Sequence, residues 1–267
     1  MHDDMRVADL PANHRSRGLV VRRTAARRTP GERVRAAYRW IMKPALSSMI
    51  AGRIAYRGAD GADVGRERFE LIEHPGGRIL RAFCEMDAIG LLRDVSLSMD
   101  ADWRPIDGFC RVVTAGHTAG STWFGIDPAA VATEGMIAGR RVREVLPIDA
   151  PAYLGLHPLQ GDALVVAVRG EAQPGVFLPV AGVTNSISPD GDQGLNAVPV
   201  TIDVAFIGYE DITVTAGTFA ARRYALRWHP DWPAADLWVR REDTVFLMMR
   251  WSLIETWYEL TDLEERS

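Results

Sequence analysis

From Gly52 onward, apolar and polar residues alternate in short runs separated by glycine, proline or aspartate. A period of two predicts strands, and the punctuation predicts hairpins. The runs are "GRIAYRG", "ERFELIEH", "RILRAFCEMDA", "RDVSLSMDADWRP", "DGFCRVVTAG", "GSTWFGID", "VATEGMIAG" and "RRVREVLPI". Residues 150–161 break the pattern and read as a crossover or a short helical turn. "DALVVAVRG" reads as a resumed strand. Residues 181–199 form a long Gly/Asn/Asp/Ser/Pro loop, a length typical of lids and binding loops. Two or three strands follow from Val200, and "DLWVRRED", "VFLMMRWSL" and "ETWYELTDLEE" close the chain.

Before Gly52 the period is helical. Thr29 suits an N-cap, Pro30 the first helical position and Glu32 the third residue of a capping box. Val34, Ala37, Tyr38 and Ile41 then recur at helical spacing, which predicts a helix over 30–43 ended by Pro44. Residues 1–28 read as a flexible basic leader. The expected organisation is therefore leader 1–28 and one domain over 29–267. About a dozen strands in hairpin succession cannot form a flat open sheet, so a single large antiparallel barrel or strongly curved sheet is expected.

The strand faces suggest what is inside. In "DVSLSMDADW", Val95, Leu97, Met99, Ala101 and Trp103 share one face, and Asp94, Ser96, Ser98, Asp100 and Asp102 share the other. In "RAFCEMDA", Glu85 and Asp87 lie opposite Ala82, Cys84 and Met86. They face either solvent or a lumen, where burial would raise a carboxyl toward acid–base use. Glu144 shares a face with Val142 and Leu146, where a carboxylate needs a partner or a proton. Residues Val245–Met249 and Trp251 are apolar on both faces, one expected against the N-terminal helix and one lining the lumen. Five of the eight tryptophans lie beyond residue 225. Such a wall suits a flat or flexible apolar ligand.

Composition narrows the classes. The 267 residues are 47% hydrophobic with a net charge of -4, so the chain as a whole is not a nucleic-acid binder. Cys84 and Cys110 make no disulfide framework and no metal motif, which fits a reducing, cytoplasmic compartment. No run is long enough for a membrane span, and no signal-peptide core follows the basic N-terminus. Ten Lys/Arg and one acidic residue lie between Arg15 and Lys43. They read as a solvated face or as an arm for an anionic partner, while Tyr38, Trp40 and Ile41 would cover a barrel end or form a homodimer contact.

Among the histidines, His117, His157 and His229 fall at strand ends or rim loops, where function concentrates. No H-x-H, H-E-x-x-H, G-x-S-x-G or phosphate loop is present, so neither a metal nor a cofactor is expected.

The segments "GYEDITVTAGTFAARRYALRW", "DLWVRRED" and "WYELTDLE" resemble a bacterial family known as domain of unknown function 3108. The matching positions are Val214, Gly217, Phe219, Trp238, Val239, Tyr258, Glu259 and Leu260. "SMDADWRPID" and "HPLQGD" resemble its earlier elements. The resemblance is clearest from about residue 200 and implies a lipocalin-like barrel or strongly curved antiparallel sheet, with no activity attached.

Two functions follow as expectations. One is a cofactor-independent lyase or isomerase acting on a terpenoid, steroid or aromatic by acid–base chemistry. His157 or His117 would be the acid/base, with Glu85, Asp87 or Glu144 as the carboxylate. The other is a non-catalytic carrier of an apolar ligand. Tyr56, Trp123, Asn185, Trp228, Trp238, Trp251 and Tyr258 would contact the molecule in either case. A His–carboxylate pair in the lumen favours the enzyme, and a dry apolar lumen favours the carrier.

Overall fold

A computed structural model describes residues 48–192, 194–254 and 256–266. The expected leader and the helix over 30–43 lie outside the described residues. Fifteen strands form one sheet. In chain order they are β1 (Ser48–Arg57), β2 (Asp63–His74), β3 (Gly77–Met86), β4 (Leu91–Met99), β5 (Pro105–Thr114), β6 (His117–Asp127), β7 (Ala130–Ile137), β8 (Arg140–Pro147), β9 (Tyr153–Gly155), β10 (Leu178–Thr184), β11 (Val198–Val214), β12 (Gly217–Arg227), β13 (Ala235–Arg240), β14 (Phe246–Trp251) and β15 (Thr256–Arg266). The spatial order runs β8 to β1 in reverse, then β15 down to β9. Every pairing is antiparallel except β9 with β10. The protein is thus mainly β with one large antiparallel sheet, as the hairpin pattern predicts.

Tight turns set the register. Thr114 pairs with His117, and Ile137 pairs with Arg140, leaving two residues to turn each corner. Those residues, Ala115-Gly116 and Ala138-Gly139, all have positive φ between 48° and 78°. This is the type I′ geometry whose twist matches the strands, and glycine bears the second position without a Cβ penalty. The hairpin from β11 to β12 turns at Thr215-Ala216, because Val214 already pairs with Gly217.

The sheet curls on itself. β5 and β9 lie near opposite ends of the strand order, yet they touch. A Cβ on Gly108 of β5 would lie 2.7 Å from Leu154 Cδ2 of β9, so the glycine leaves room for the leucine side chain of β9 against β5. Thr122 of β6 donates to the Leu195 carbonyl at 3.0 Å, tying the loop before β11 to the far side.

"DALVVAVRG" does not form a strand. It continues α1 (Leu159–Ala163) into α2 (Val165–Arg169), ended by Gly170 with φ 62°. Short apolar runs do not distinguish a strand from a buried helix, and here tertiary context decides. Ala163, Leu164, Val165 and Val166 are all buried, so the helices plug the concave face. Gln160 fixes the plug: its Nε2 donates to the Thr244 carbonyl at 2.8 Å, and its Oε1 accepts from Phe246 N at 3.0 Å. Val245 through Met249 are buried on both faces, as their composition predicts.

Candidate functional site

The plug does not fill the interior. Between α1, residues 184–190 and strands β14 and β15 lies a cavity of about 500 Å³. That volume lies within the range of small-molecule sites. One wall is aromatic. The rings of Trp228 and Trp251 lie 5.0 Å apart, Trp232 and Trp251 5.7 Å, and Tyr56 meets Tyr258 edge-on at 5.0 Å. Trp251 is anchored by its indole N–H, which donates to the Pro233 carbonyl at 2.8 Å.

The opposite wall holds the polar groups, and its chemistry begins at Glu67. Glu67 lies on the inward face of β2 between Gly65 and Phe69, and it is fully buried. Its carboxylate accepts from Leu159 N at 2.7 Å, Gln160 N at 3.1 Å and Tyr56 Oη at 3.1 Å, with Cys84 Sγ at 3.6 Å. A side chain from β2 therefore satisfies the free N–H groups that open α1. Burial raises the Glu67 pKa, and these hydrogen bonds oppose the rise.

Arg93 lies on the inward face of β4 among Leu91, Val95 and Leu97. It is 2% exposed and has no carboxylate within ion-pair distance among the described residues. Its guanidinium donates to the carbonyls of His157 at 3.3 Å, Asp190 at 2.7 Å and Gly191 at 2.8 Å. One buried cation thus holds two loops against the sheet. Gly191 is required at this contact: its φ is 63°, and a Cβ would fall 2.4 Å from His157 Cγ.

His157 lines the cavity at positive φ, 68°. Its Nε2 lies 3.1 Å from the Ser186 carbonyl and 3.2 Å from Thr184 Oγ1, so it faces loop atoms and no carboxylate. Burial and the Arg93 charge push its pKa down to about 3. The ring stays neutral and donates from Nε2 to Ser186, which suits anchoring more than proton transfer.

Asp162 is the ionisable group best placed for the cavity. It sits on α1, and Tyr153 donates to its Oδ1 at 2.9 Å. Its Oδ2 has no hydrogen-bond donor among the described residues and is not sealed from the cavity. Burial pushes its pKa up to about 7, the Tyr153 hydrogen bond works against that rise, and the Glu67 charge adds to it. Burial also drives the Tyr56 and Tyr153 phenols well above their ordinary values, so both remain neutral donors.

Of the residues expected from sequence, the structure brings Tyr56, His157, Trp228, Trp251 and Tyr258 together around this cavity. The others lie elsewhere. Glu85 and Asp87 are on the outer face, paired with Arg66 at 2.6 and 3.0 Å. His117 is exposed at the start of β6, and Glu144 is exposed on β8. Trp123 is 43% exposed on the outer face. Asn185 is buried, with Nδ2 3.6 Å from Cys110 Sγ. Trp238 donates to Glu210 at 2.6 Å, away from the lumen. Among the described residues, no group of three His, Cys, Asp or Glu side chains could hold a metal ion. None of their helices is long and apolar enough to cross a membrane.

No family model matches the chain, and no curated protein does. A solved β-barrel-like protein of domain of unknown function DUF1849 from Brucella abortus superposes with a TM-score of 0.53 and 10% identity, covering 82% of this chain and 98% of that one. A DUF1089 family protein from Pseudomonas aeruginosa gives a TM-score of 0.45 and 12% identity over 70% of this chain and 90% of that one. At such identities the likeness concerns the fold alone, and what it shows is a β-barrel-like architecture similar to that of the Brucella protein.

Proposed function

We propose that this protein binds an apolar small molecule, of terpenoid, steroid or aromatic type, inside the curved sheet and acts as a carrier. The observation behind this reading is an aromatic-walled cavity of about 500 Å³ in which most polar groups are already engaged by the scaffold. His157 faces loop atoms, Glu67 caps α1, and Arg93 holds backbone carbonyls. A pocket with so few free polar groups selects by shape and apolar contact. Kinship with family 3108, on the Val214–Phe219 hairpin and the Tyr258–Leu260 strand, is part of the proposal and adds no activity to it. Native mass spectrometry of the purified protein, followed by solvent extraction, tests the carrier reading. An apolar compound retained one to one is expected. The proposal fails if nothing is retained and no member of a terpenoid, steroid and aromatic panel changes the tryptophan fluorescence.

A second reading, a cofactor-independent lyase or isomerase, is favoured by one observation. Asp162 is a lumen carboxyl poised near neutrality, as a general acid or base needs to be. Incubating a retained compound with the protein in deuterated water separates the two readings. Deuterium incorporation that Asp162→Asn abolishes supports the enzyme, and its absence leaves the carrier.

A further inference from the structure

The polar end of the cavity is unbalanced in charge. Three carboxyl groups lie at or just behind its wall: Asp162, Asp190 and Glu67. None of the three makes an ion pair with a cationic side chain among the described residues. The cation at this wall is Arg93, and its guanidinium is committed to three backbone carbonyls. His157 cannot supply a second positive charge, since burial and Arg93 keep it neutral. Asp162 Oδ1 is occupied by Tyr153, while Oδ2 has no donor among the described residues. Trp228, Trp232 and Trp251 line the same cavity, and indole rings attract cations through their quadrupoles. Tyr258 joins the two halves: its phenol feels the negative charges of both Asp190 and Asp162.

We infer that the molecule bound in this cavity carries a cationic nitrogen, a protonated amine or quaternary ammonium, which sits against Asp162 Oδ2 with its apolar body along the tryptophan wall. The inference rests on the proposed ligand-binding role of the lumen and specifies the ligand's chemistry. An anionic headgroup would meet Asp162 and Asp190, while the Nη atoms of Arg93 are already engaged by backbone carbonyls. A neutral apolar ligand would leave Oδ2 unpaired once water is displaced, which is costly for a buried acceptor. A cation fills that vacancy and restores the missing charge.

The consequence is a pH dependence with a defined sign. The groups facing Asp162 are Tyr153 from β9, Glu67 from β2, Arg93 from β4, Tyr258 from β15 and Asp190 from the loop. Both tyrosines stay neutral near neutrality. Asp190, also raised by burial and by Asp192, ionises in the same direction as Asp162. With Asp162 titrating at about 7, roughly 3% of it is ionised at about pH 5.5 and nearly all at about pH 8.5. A cation that needs the carboxylate therefore binds roughly 30-fold more weakly at the lower pH.

Isothermal titration and tryptophan quenching with three probes of equal chain length test this: decyltrimethylammonium, decanol and decanoate, all below their micelle concentrations. The ammonium is expected to bind tightest at high pH and to lose about 30-fold on acidification. Asp162→Asn, which keeps an acceptor for Tyr153, is expected to remove most of that pH dependence for the ammonium. The inference is overturned if decanol or decanoate binds as tightly as the ammonium, or if the ammonium's affinity is flat with pH in the wild-type protein. The wild-type pH series stands without the variant, so a misfolded variant does not obscure the result. If none of the three probes binds, the cationic-ligand inference is overturned, while the carrier reading is judged by its own terpenoid, steroid and aromatic panel.

Discussion

Asp162 and His157 face the same cavity, yet burial shifts them in opposite directions, which predicts an unusual stability profile. Asp162 moves from 3.8 to about 7 on folding. Between those values the folded state holds a proton that the unfolded chain has lost, so stability falls as pH rises. At 1.36 kcal/mol per unit, the loss is about 4 kcal/mol. His157 moves from 6.5 to about 3. Here the unfolded chain binds the extra proton, so stability rises with pH between about 3 and 6.5, by about 5 kcal/mol. From about pH 4 to 6.5 the two slopes offset each other in the wild-type protein. Single substitutions expose them. Asp162→Asn is expected to match the wild type near pH 3.5 and to exceed it by about 4 kcal/mol above pH 7. His157→Asn, which tolerates the positive φ, is expected to give the opposite trend. It loses about 1 kcal/mol from the Ser186 contact near pH 7 and becomes more stable than the wild type as the pH falls toward 3. Urea unfolding followed by tryptophan fluorescence at half-unit pH steps measures the differences, in which unaltered groups cancel. Two difference curves whose slopes with pH have the same sign, or both flat, would refute the assignment of these groups to a desolvated cavity wall.

Three further outcomes follow from the same contacts. Glu67→Gln replaces one acceptor oxygen with a donor facing Leu159 N or Gln160 N, and it should cost about 1–3 kcal/mol in urea unfolding near neutral pH. Gly191→Ala forces a Cβ into His157 and Arg93, so hydrogen exchange should quicken across residues 184–191 while β11 and β12 remain protected. Burial pushes the Cys110 thiol up to about 12 and the Cys84 thiol well above its ordinary value. Iodoacetamide should therefore label neither cysteine in the folded protein and both in urea; rapid labelling without urea would contradict their place in the core.

Much of the fold was legible because the sheet obeys local rules. Each hairpin carries its own turn signal, and a strand such as β4 shows its two faces by alternation. Val95, Leu97 and Met99 are buried just as their spacing indicates. The expected loop over 181–199 gives its ends to β10 and β11, and "DALVVAVRG" is misread because its central run is apolar and has no face to read. Its helical form follows from the concave space it fills and from a cap donated by Glu67, 92 residues away from Leu159. No window of local sequence contains that partner.

The site was half legible for the same reason. Aromatic residues near the end of the chain marked one wall, and the rim position of His157 marked another. The carboxylate rule, that an acid on an apolar face needs a partner, was sound but was applied to the wrong strand. Glu144 matches it on β8, an edge strand, where Val142 and Leu146 are only half-buried and Glu144 itself is exposed. The same pattern occurs at Glu67, between Gly65 and Phe69, and at Arg93, between Leu91 and Val95. Those strands are central, so their inward charges are truly buried and organise the cavity. What separates the cases is position in the sheet, a property of all fifteen strands together. Asp162 illustrates the limit most clearly, because nothing in "PLQGDAL" distinguishes it from a solvated helix acid. Its altered titration arises only when β9, β2 and α1 converge around it, and that convergence turns an ordinary aspartate into a lumen acceptor with one oxygen unengaged among the described residues.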